Sequence, residues 1–321
     1  MTSAEGQLAV SEVHGYRVAR LGETTSTNTV VAGEARKGVA EGLVVTTDYQ
    51  SAGRGRFDRR WEAPPGSGLL FSVLLRPGLA AAGALAPERR HLVVAAVSLA
   101  VARAAEAVAG VRLSLKWPND LLGPDGRKVA GVLAEVAVGA AAGQASLERA
   151  PTESSSEGSE SEGSESEESE SEESESEESE SEESESEESE SEGGPSLAWA
   201  VVVGVGLNVS WAPEGASCLD ALAGRPVDKD ELLYEALSSL RELYGRWDEV
   251  AELYRERLAT LGRQVVVHLA SGTGPGDEAG IRGQAVGVDS AGRLLVHTAT
   301  GLVEVAAGDV DHARMGSPTG L

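Results

Sequence analysis

Four arginines, Arg54, Arg56, Arg59 and Arg60, are packed into seven positions of YQSAGRGRFDRRWEAPPGSGLLFS (49–72), interleaved with glycines and directly after a strand-like run. Backbone N–H groups and guanidinium forks presented together suit a chain of phosphates, because both are rigid donors matched to anionic oxygens. Taken alone, the arginines fit a solvated surface loop or an RGG-like RNA-binding element equally well. The flanking strands, Trp61 and Pro64-Pro65 favour a loop that is ordered or folds on binding.

A second cluster is LKWPNDLL (115–122), followed by RKVAGVLAEV (127–136). Trp117-Pro118 breaks any helix and sets a turn, bringing the Asn119 amide and the Asp120 carboxylate beside Lys116. Lys128 opens an apolar strand, where desolvation or an anionic ligand would matter. In VVVGVGLNVS (201–210), Gly204 and Gly206 interrupt a strand ahead of Asn208. No third glycine and no helix follow, so a dinucleotide loop is not indicated, and the glycines point to close approach by a ligand or another backbone. TTSTN (24–28) gathers hydroxyls and an amide at a helix start, which reads as N-capping or as a site for a polar headgroup. The five histidines, at 14, 91, 268, 297 and 312, have no metal-ligand spacing, and neither a Gly-x-Ser-x-Gly nor a Walker A run is present.

The elements that must position these residues are legible in outline. Thr24 or Ser26 begins a helix to about Lys37, and residues 42–49 and 68–76 read as strands. Pro87 opens an Ala-rich helix to about Val108, and 229–258 has helical spacing with Gly245 as a break between two helices. KVAGVLAEVAV (128–138) and LAWAVVVGVGLNVS (197–210) read as neighbouring buried strands. After Gly262 the pattern becomes short strands with Gly and Asp turns, which predicts a small β-barrel appended to a larger α/β domain.

The formal charge of −25 over 321 residues, taken whole, argues against a nucleic-acid binder, but it is unevenly placed. Residues 153–192 hold 21 Glu, 17 Ser and 2 Gly, repeating SESEE from Ser164. The rest of the chain has 31 acidic against 27 basic residues, a net charge of −4 over 281. Such a tract has nothing to bury and is expected to stay disordered, as a lengthened loop between two strands whose closure cost rises only logarithmically with length. A lone Cys218 excludes an intramolecular disulfide framework, the N-terminus lacks a secretory pattern, and no run of about 18 uninterrupted apolar residues occurs. The expectation is a cytoplasmic protein without a membrane span.

Taken in order, Ser26-Thr27-Asn28, Gly53-Arg54-Gly55-Arg56…Trp61 after Gln50, Lys116-Trp117-Pro118-Asn119-Asp120, Lys128-x-x-Gly131 and Gly204-x-Gly206-x-Asn208 resemble the biotin protein ligases over about residues 16–314, the tract excepted. The resemblance implies an α/β (α+β) fold: a mixed sheet flanked by helices, as in class II aminoacyl-tRNA synthetases, then an SH3-like barrel. The implied boundaries are a tail at 1–15, a catalytic domain at 16–260 interrupted by the insertion 151–194, a barrel at 261–315 and a tail at 316–321. About two dozen residues precede the STN motif, which fits the type without an N-terminal DNA-binding domain. The implied reaction joins biotin and ATP as biotinyl-5′-AMP, with Mg²⁺, and transfers biotin to a lysine of a biotin carboxyl carrier domain. The enzyme would be a monomer or homodimer.

By the same resemblance Arg54, Arg56, Lys116 and Lys128 are catalytic. Ser26, Thr27, Asn28, Gln50, Gly53, Arg54, Lys128 and Gly131 bind biotin. Arg54, Arg56, Trp61, Asn119, Asp120 and Asn208 bind ATP or the adenylate, and the metal ligands are left open. Where the family loop commonly has Gly-Arg, this chain has Asp58-Arg59, so ordering of the loop on ligand binding is expected to differ. Residues 53–62 are expected to close over the ligand. The alternatives are a lipoate ligase-like enzyme and a non-enzymatic RNA-binding protein that uses the GRGR loop.

Overall fold

The structure is a computed structural model that describes residues 10–57, 59–79, 83–137, 199–269 and 280–312. The insertion at 151–194 and both tails expected from the sequence lie outside the described residues or largely so.

The main sheet comprises β1 (Val10–Val13), β2 (Tyr16–Thr24), β3 (Leu43–Gln50), β4 (Gly68–Leu75), β5 (Ser114–Lys116), β6 (Asp120–Leu122), β7 (Lys128–Ala137) and β8 (Ala200–Asn208). Their order is β1-β2-β3-β4-β8-β7-β6-β5, and β2 and β3 are parallel while the other pairs are antiparallel. A parallel pair needs a crossover, and α1 (Thr27–Arg36) supplies it. As expected, β7 and β8 are direct neighbours, with Ala137 opposite Ala200.

Every residue of β8 is buried, which explains its nearly unbroken apolar run. Side chains alternate between the faces of a strand. Ala200 and Val202 pack with Val31 and Ala35 of α1, whereas Val201, Val203, Val205 and Leu207 join the core on the opposite face. Gly204 and Gly206 continue that face to the start of α1, and the sheet is bare of its own side chains there, so Asn28 and Trp61 approach it closely.

The opposite face is covered by α2 (His91–Ala104), α4 (Lys229–Leu243) and α5 (Trp247–Arg257), and a short α3 (Leu219–Ala223) follows β8. The sequence-predicted long helix is a 3₁₀ turn at Pro87–Arg89, then α2, then a π-helical turn at Ala105–Ala109 that ends on left-handed Gly110. Residues Pro87–Ala109 are long and apolar enough to cross a membrane by length and composition, but 72% of the apolar stretch is buried in the protein, as in a core helix. The break near Gly245 falls between α4 and α5.

A second antiparallel sheet is built from β9 (Gln264–His268), β10 (Ile281–Val288), β11 (Leu294–Thr298), β12 (Gly301–Val305) and β13 (Asp309–His312), in the order β12-β11-β10-β9-β13. It carries the C-terminal β element expected from the change of pattern at Gly262. Its core residues Val265, Val267, Leu294 and Val296 belong to the same cluster as Leu115 and Trp117. Trp117 fastens the two sheets together, its backbone N–H donating to Thr260 Oγ1 (2.9 Å) and its indole N–H to the Gly292 carbonyl (2.9 Å).

Candidate active site

The bare patch of the main sheet is the floor of a cavity of about 180 Å³. Sheet register assembles it: Ser72, Gly204 and Leu133 lie side by side across β4, β8 and β7, and the next row is Leu70, Gly206, Gly131 and Asp120. Sequence positions far apart are thereby placed within two rows of one face.

One wall is the start of α1. Ser26 occupies the N-cap position but makes no side-chain capping bond, so the N-capping expectation holds for position and not for chemistry. The capping acceptor is instead Gln50 at the end of β3, whose Oε1 accepts from Thr27 N (2.8 Å) and Thr27 Oγ1 (3.1 Å). Ser72 Oγ lies 2.6 Å from both Thr27 Oγ1 and Asn28 Oδ1. Asn28 Nδ2 donates to Glu135 Oε2 (2.6 Å). Thr27, Asn28 and Ser72 are buried, and burying these polar groups is tolerated only because they satisfy one another.

The facing wall is the arginine loop, folded as a tight hairpin with Arg54 bridged to Arg60. Trp61 N donates to the Gly53 carbonyl (3.0 Å) and Gly55 N to the Arg59 carbonyl (2.7 Å). A Cβ at Gly53 would stand 2.3 Å from the Trp61 carbonyl oxygen, so only glycine fits. Asp58 lies outside the described residues. Arg54 Nη2 pairs with Glu135 (2.9 Å). Arg56 donates to the Gly308 carbonyl (3.1 Å) and stands 3.8 Å from Asp309, to which Arg59 is directly ion-paired. Burial pulls the Arg56 guanidinium below its ordinary pKa, with Asp120 opposing and Arg59 adding to the effect.

The Trp61 indole lies on the floor: a Cβ at Gly206 would come within 2.3 Å of the ring, and one at Gly131 within 3.3 Å. The close approach expected at the strand glycines is thus made by side chains, Trp61 over Gly206 and Asn28 over Gly204. Trp61 Nε1 is buried with no hydrogen-bond partner, an unmet donor at the cavity. Lys128 Nζ pairs with Asp120 (2.6 Å) and stands 5.6 Å from the indole centroid. Asn119 is tied to β7 by its Nδ2 bond to the Val132 carbonyl (2.8 Å).

Of the residues singled out from sequence, Ser26, Thr27, Asn28, Gln50, Arg54, Arg56, Trp61, Lys116, Asn119, Asp120, Lys128 and Gly131 line this one cavity. Gly53 lines an adjoining recess behind the loop. Asn208 is not on the wall: it is buried, and its Nδ2 donates to the Ser217 carbonyl (3.2 Å), while Ser217 N donates to the Lys128 carbonyl (2.9 Å). It braces the backbone of Lys128 from behind. Sequence reasoning missed Ser72, Glu135 and Asp309. Ser72 is the lone hydroxyl in an apolar strand and Glu135 the lone acid in another, which are usable signals; Asp309 belongs to the second sheet and has no local one.

Residues 21–147 match the model of the biotin/lipoate A/B protein ligase family, and residues 260–313 match that of the biotin protein ligase C-terminal domain. The chain is 29% identical to a biotin–[acetyl-CoA-carboxylase] ligase of Mycobacterium tuberculosis, over 91% of this chain and 87% of that one. It is 24% identical to the bifunctional ligase/repressor BirA of Bacillus subtilis, over 95% of this chain and 79% of that one. In fold it is similar to the biotin protein ligase of Aquifex aeolicus in complex with biotin and ATP, with a TM-score of 0.60 at 23% identity, covering 92% of this chain and 98% of that one. The first family model admits biotin and lipoate ligases alike, and the C-terminal model narrows the choice. Together the two cover more than half of the sequence, and the chain belongs to the biotin protein ligase family.

Proposed function

We infer that the chain is an ATP-dependent biotin–[acetyl-CoA-carboxylase] ligase, which makes biotinyl-5′-AMP and passes the biotinyl group to a lysine. The observation that carries the reading is the convergence of Arg54, Arg56, Lys116 and Lys128 with the Ser26-Thr27-Gln50 strip on one small cavity. In the first step a carboxylate oxygen attacks the α-phosphorus and pyrophosphate leaves. Two anions must approach each other, and fixed cations offset that repulsion in a site shielded from water.

The strip suits the ureido ring, a flat group with two donors and one acceptor oxygen. Arg54 and Arg56 take the phosphates, and Lys128 takes the carboxylate and the oxygen bridging it to AMP. For this, Lys128 exchanges Asp120 for the ligand. Adenine stacks on the indole face of Trp61 turned away from the glycine floor. Lys116 serves adenylate formation or transfer, and Asn119 holds the nucleotide side of the cavity. In the second step the lysine amine attacks the acyl carbonyl, the bond to phosphate oxygen breaks, and AMP departs. Mg²⁺ would enter with ATP and offset charge on the phosphates as they react.

The Trp61 indole lies over the glycine floor of the cavity. Entry of biotin and ATP requires the loop and Trp61 to shift, after which residues 53–62 close over the adenylate. The acceptor is the biotin carboxyl carrier domain of a carboxylase in the cytoplasm.

The test is incubation with ATP, Mg²⁺, labelled biotin and a carrier domain. Streptavidin-reactive carrier, with pyrophosphate released, is the expected result. Labelling with lipoate in place of biotin, or RNA retention at physiological salt without any product, would overturn it.

A further inference from the structure

Resting on the ligase reading, we propose that Glu135 is a positioning residue that ties the headgroup wall of the cavity to the base of the arginine loop. The carboxylate stands on the same face of β7 as Gly131 and Leu133, beyond the cavity floor. One oxygen, Oε2, accepts from two elements at once: Asn28 Nδ2 at 2.6 Å and Arg54 Nη2 at 2.9 Å.

The bonding of Asn28 shows why this matters. The residue is 4% exposed, its Oδ1 is 2.6 Å from Ser72 Oγ, and its Nδ2 is directed to Glu135 and, at 3.4 Å, to the Leu133 carbonyl. The amide's polar atoms are all engaged by protein, so Asn28 orients the wall. Glu135 decides which way that amide faces, because a carboxylate can only accept. With Nδ2 held there, Oδ1 must face Ser72, and Ser72 in turn abuts the Thr27 hydroxyl beside Gln50. The same oxygen draws Arg54 toward this wall. The headgroup strip and the loop base are thereby set in register through a single atom.

Glu135→Gln tests the assignment while keeping the side chain's size. The substituted amide either turns its NH₂ toward two donors or offers one neutral carbonyl to both, and the charge-assisted bonds are weakened. Biotin affinity without ATP, measured by calorimetry, is expected to fall about 10-fold, the change that about 1.4 kcal/mol gives. The biotin KM should rise in parallel while kcat at saturation stays near wild type. In the exchange Asn28→Asp/Glu135→Gln, the amide introduced on β7 donates to the carboxylate introduced on α1, and its carbonyl still accepts from Arg54, so most of the lost affinity should return. Because it retains net charge and hydrogen bonding, this double variant also serves if the single one does not fold. Wild-type biotin affinity in Glu135→Gln, a loss confined to kcat, or an exchange variant no better than the single ones would overturn the assignment. In those cases a wild-type chain that binds biotin and consumes ATP still upholds the ligase reading. A wild-type chain that binds no biotin overturns both.

Discussion

The two walls of the cavity solve the same problem in opposite ways. At the start of α1, Thr27, Asn28, Gln50 and Ser72 are linked by short neutral hydrogen bonds, with the Asn28 amide anchored on Glu135, and are held by buried sheet on one side and helix on the other. Across the floor, Arg54, Arg56 and Arg59 are held by carboxylates, Glu135 from the main sheet and Asp309 from the second sheet, and the Trp61 indole N–H has no partner. The first wall is preorganised and changes little when a flat polar ring arrives. On the proposed function the second is provisional, since the carboxylates beside Arg54 and Arg56 would give way to phosphate. A site that binds a small neutral headgroup and then reacts two anions benefits from this division: recognition is rigid, and charge is delivered by a segment that can move.

The sharpest way to break this contrast is Arg56→Ala. Single-turnover adenylate formation should fall about 10²- to 10³-fold, the effect of losing one preorganised donor to developing charge. Biotin binding measured without ATP should stay close to wild type. A comparable loss in both would mean that the walls are not separate.

Ser72→Ala attacks the other side. It leaves the buried Asn28 Oδ1 without a donor, so denaturant unfolding should show a loss of about 1–3 kcal/mol. Biotin affinity should weaken and the affinity for an ATP analogue should not.

Acid tests the framework beneath the loop. His312 is driven down to about 4 by burial and then by the Lys116 cation, and His91 to about 4 by burial and then by Arg89. Both stay neutral in the folded chain while the unfolded chain protonates near 6.5. Stability is therefore level above about pH 6.5 and falls as pH drops from there towards about 4, by roughly 1–2 kcal/mol per histidine after discounting for solvent. Replacing either with asparagine should flatten that window in urea titrations.

The smallest effect is expected from Asp309→Asn, whose partly exposed ion pairs are worth less than about 1 kcal/mol. Tryptic cleavage at the loop arginines without ligand should nonetheless speed up, and added biotin and ATP should restore protection.

Much of this was legible in the sequence, and the reasons are local. The STN, GRGR, KWPND and K-x-x-G runs mark places where backbone leaves regular structure beside polar side chains, and such breaks are visible without coordinates. The β7–β8 pairing followed from two apolar strand-like runs on either side of a tract that reads as a lengthened loop. What was illegible depends on register. Asn208 reads as a nucleotide contact because it ends a glycine-marked strand; it shares the face of Gly204 and Gly206, but it lies one row beyond the cavity floor, where its amide meets Ser217. Gln50 as the cap of α1, and Asp309 as the partner of the loop, join residues that nothing in their immediate neighbours connects.

The pairing of Ala137 with Ala200 has a practical consequence. The end of β7 and the start of β8 stand about one strand spacing, ~4.8 Å, apart. Any polypeptide whose own ends are close can be joined there without stretching β7 or β8, and closure adds only about 0.6 kcal/mol per doubling of length. The junction is thus a natural port for engineering. A fluorescent reporter, or a new pair of chain ends with the old ones linked, could be installed between residues 138 and 199 with the strands that floor the cavity left in place.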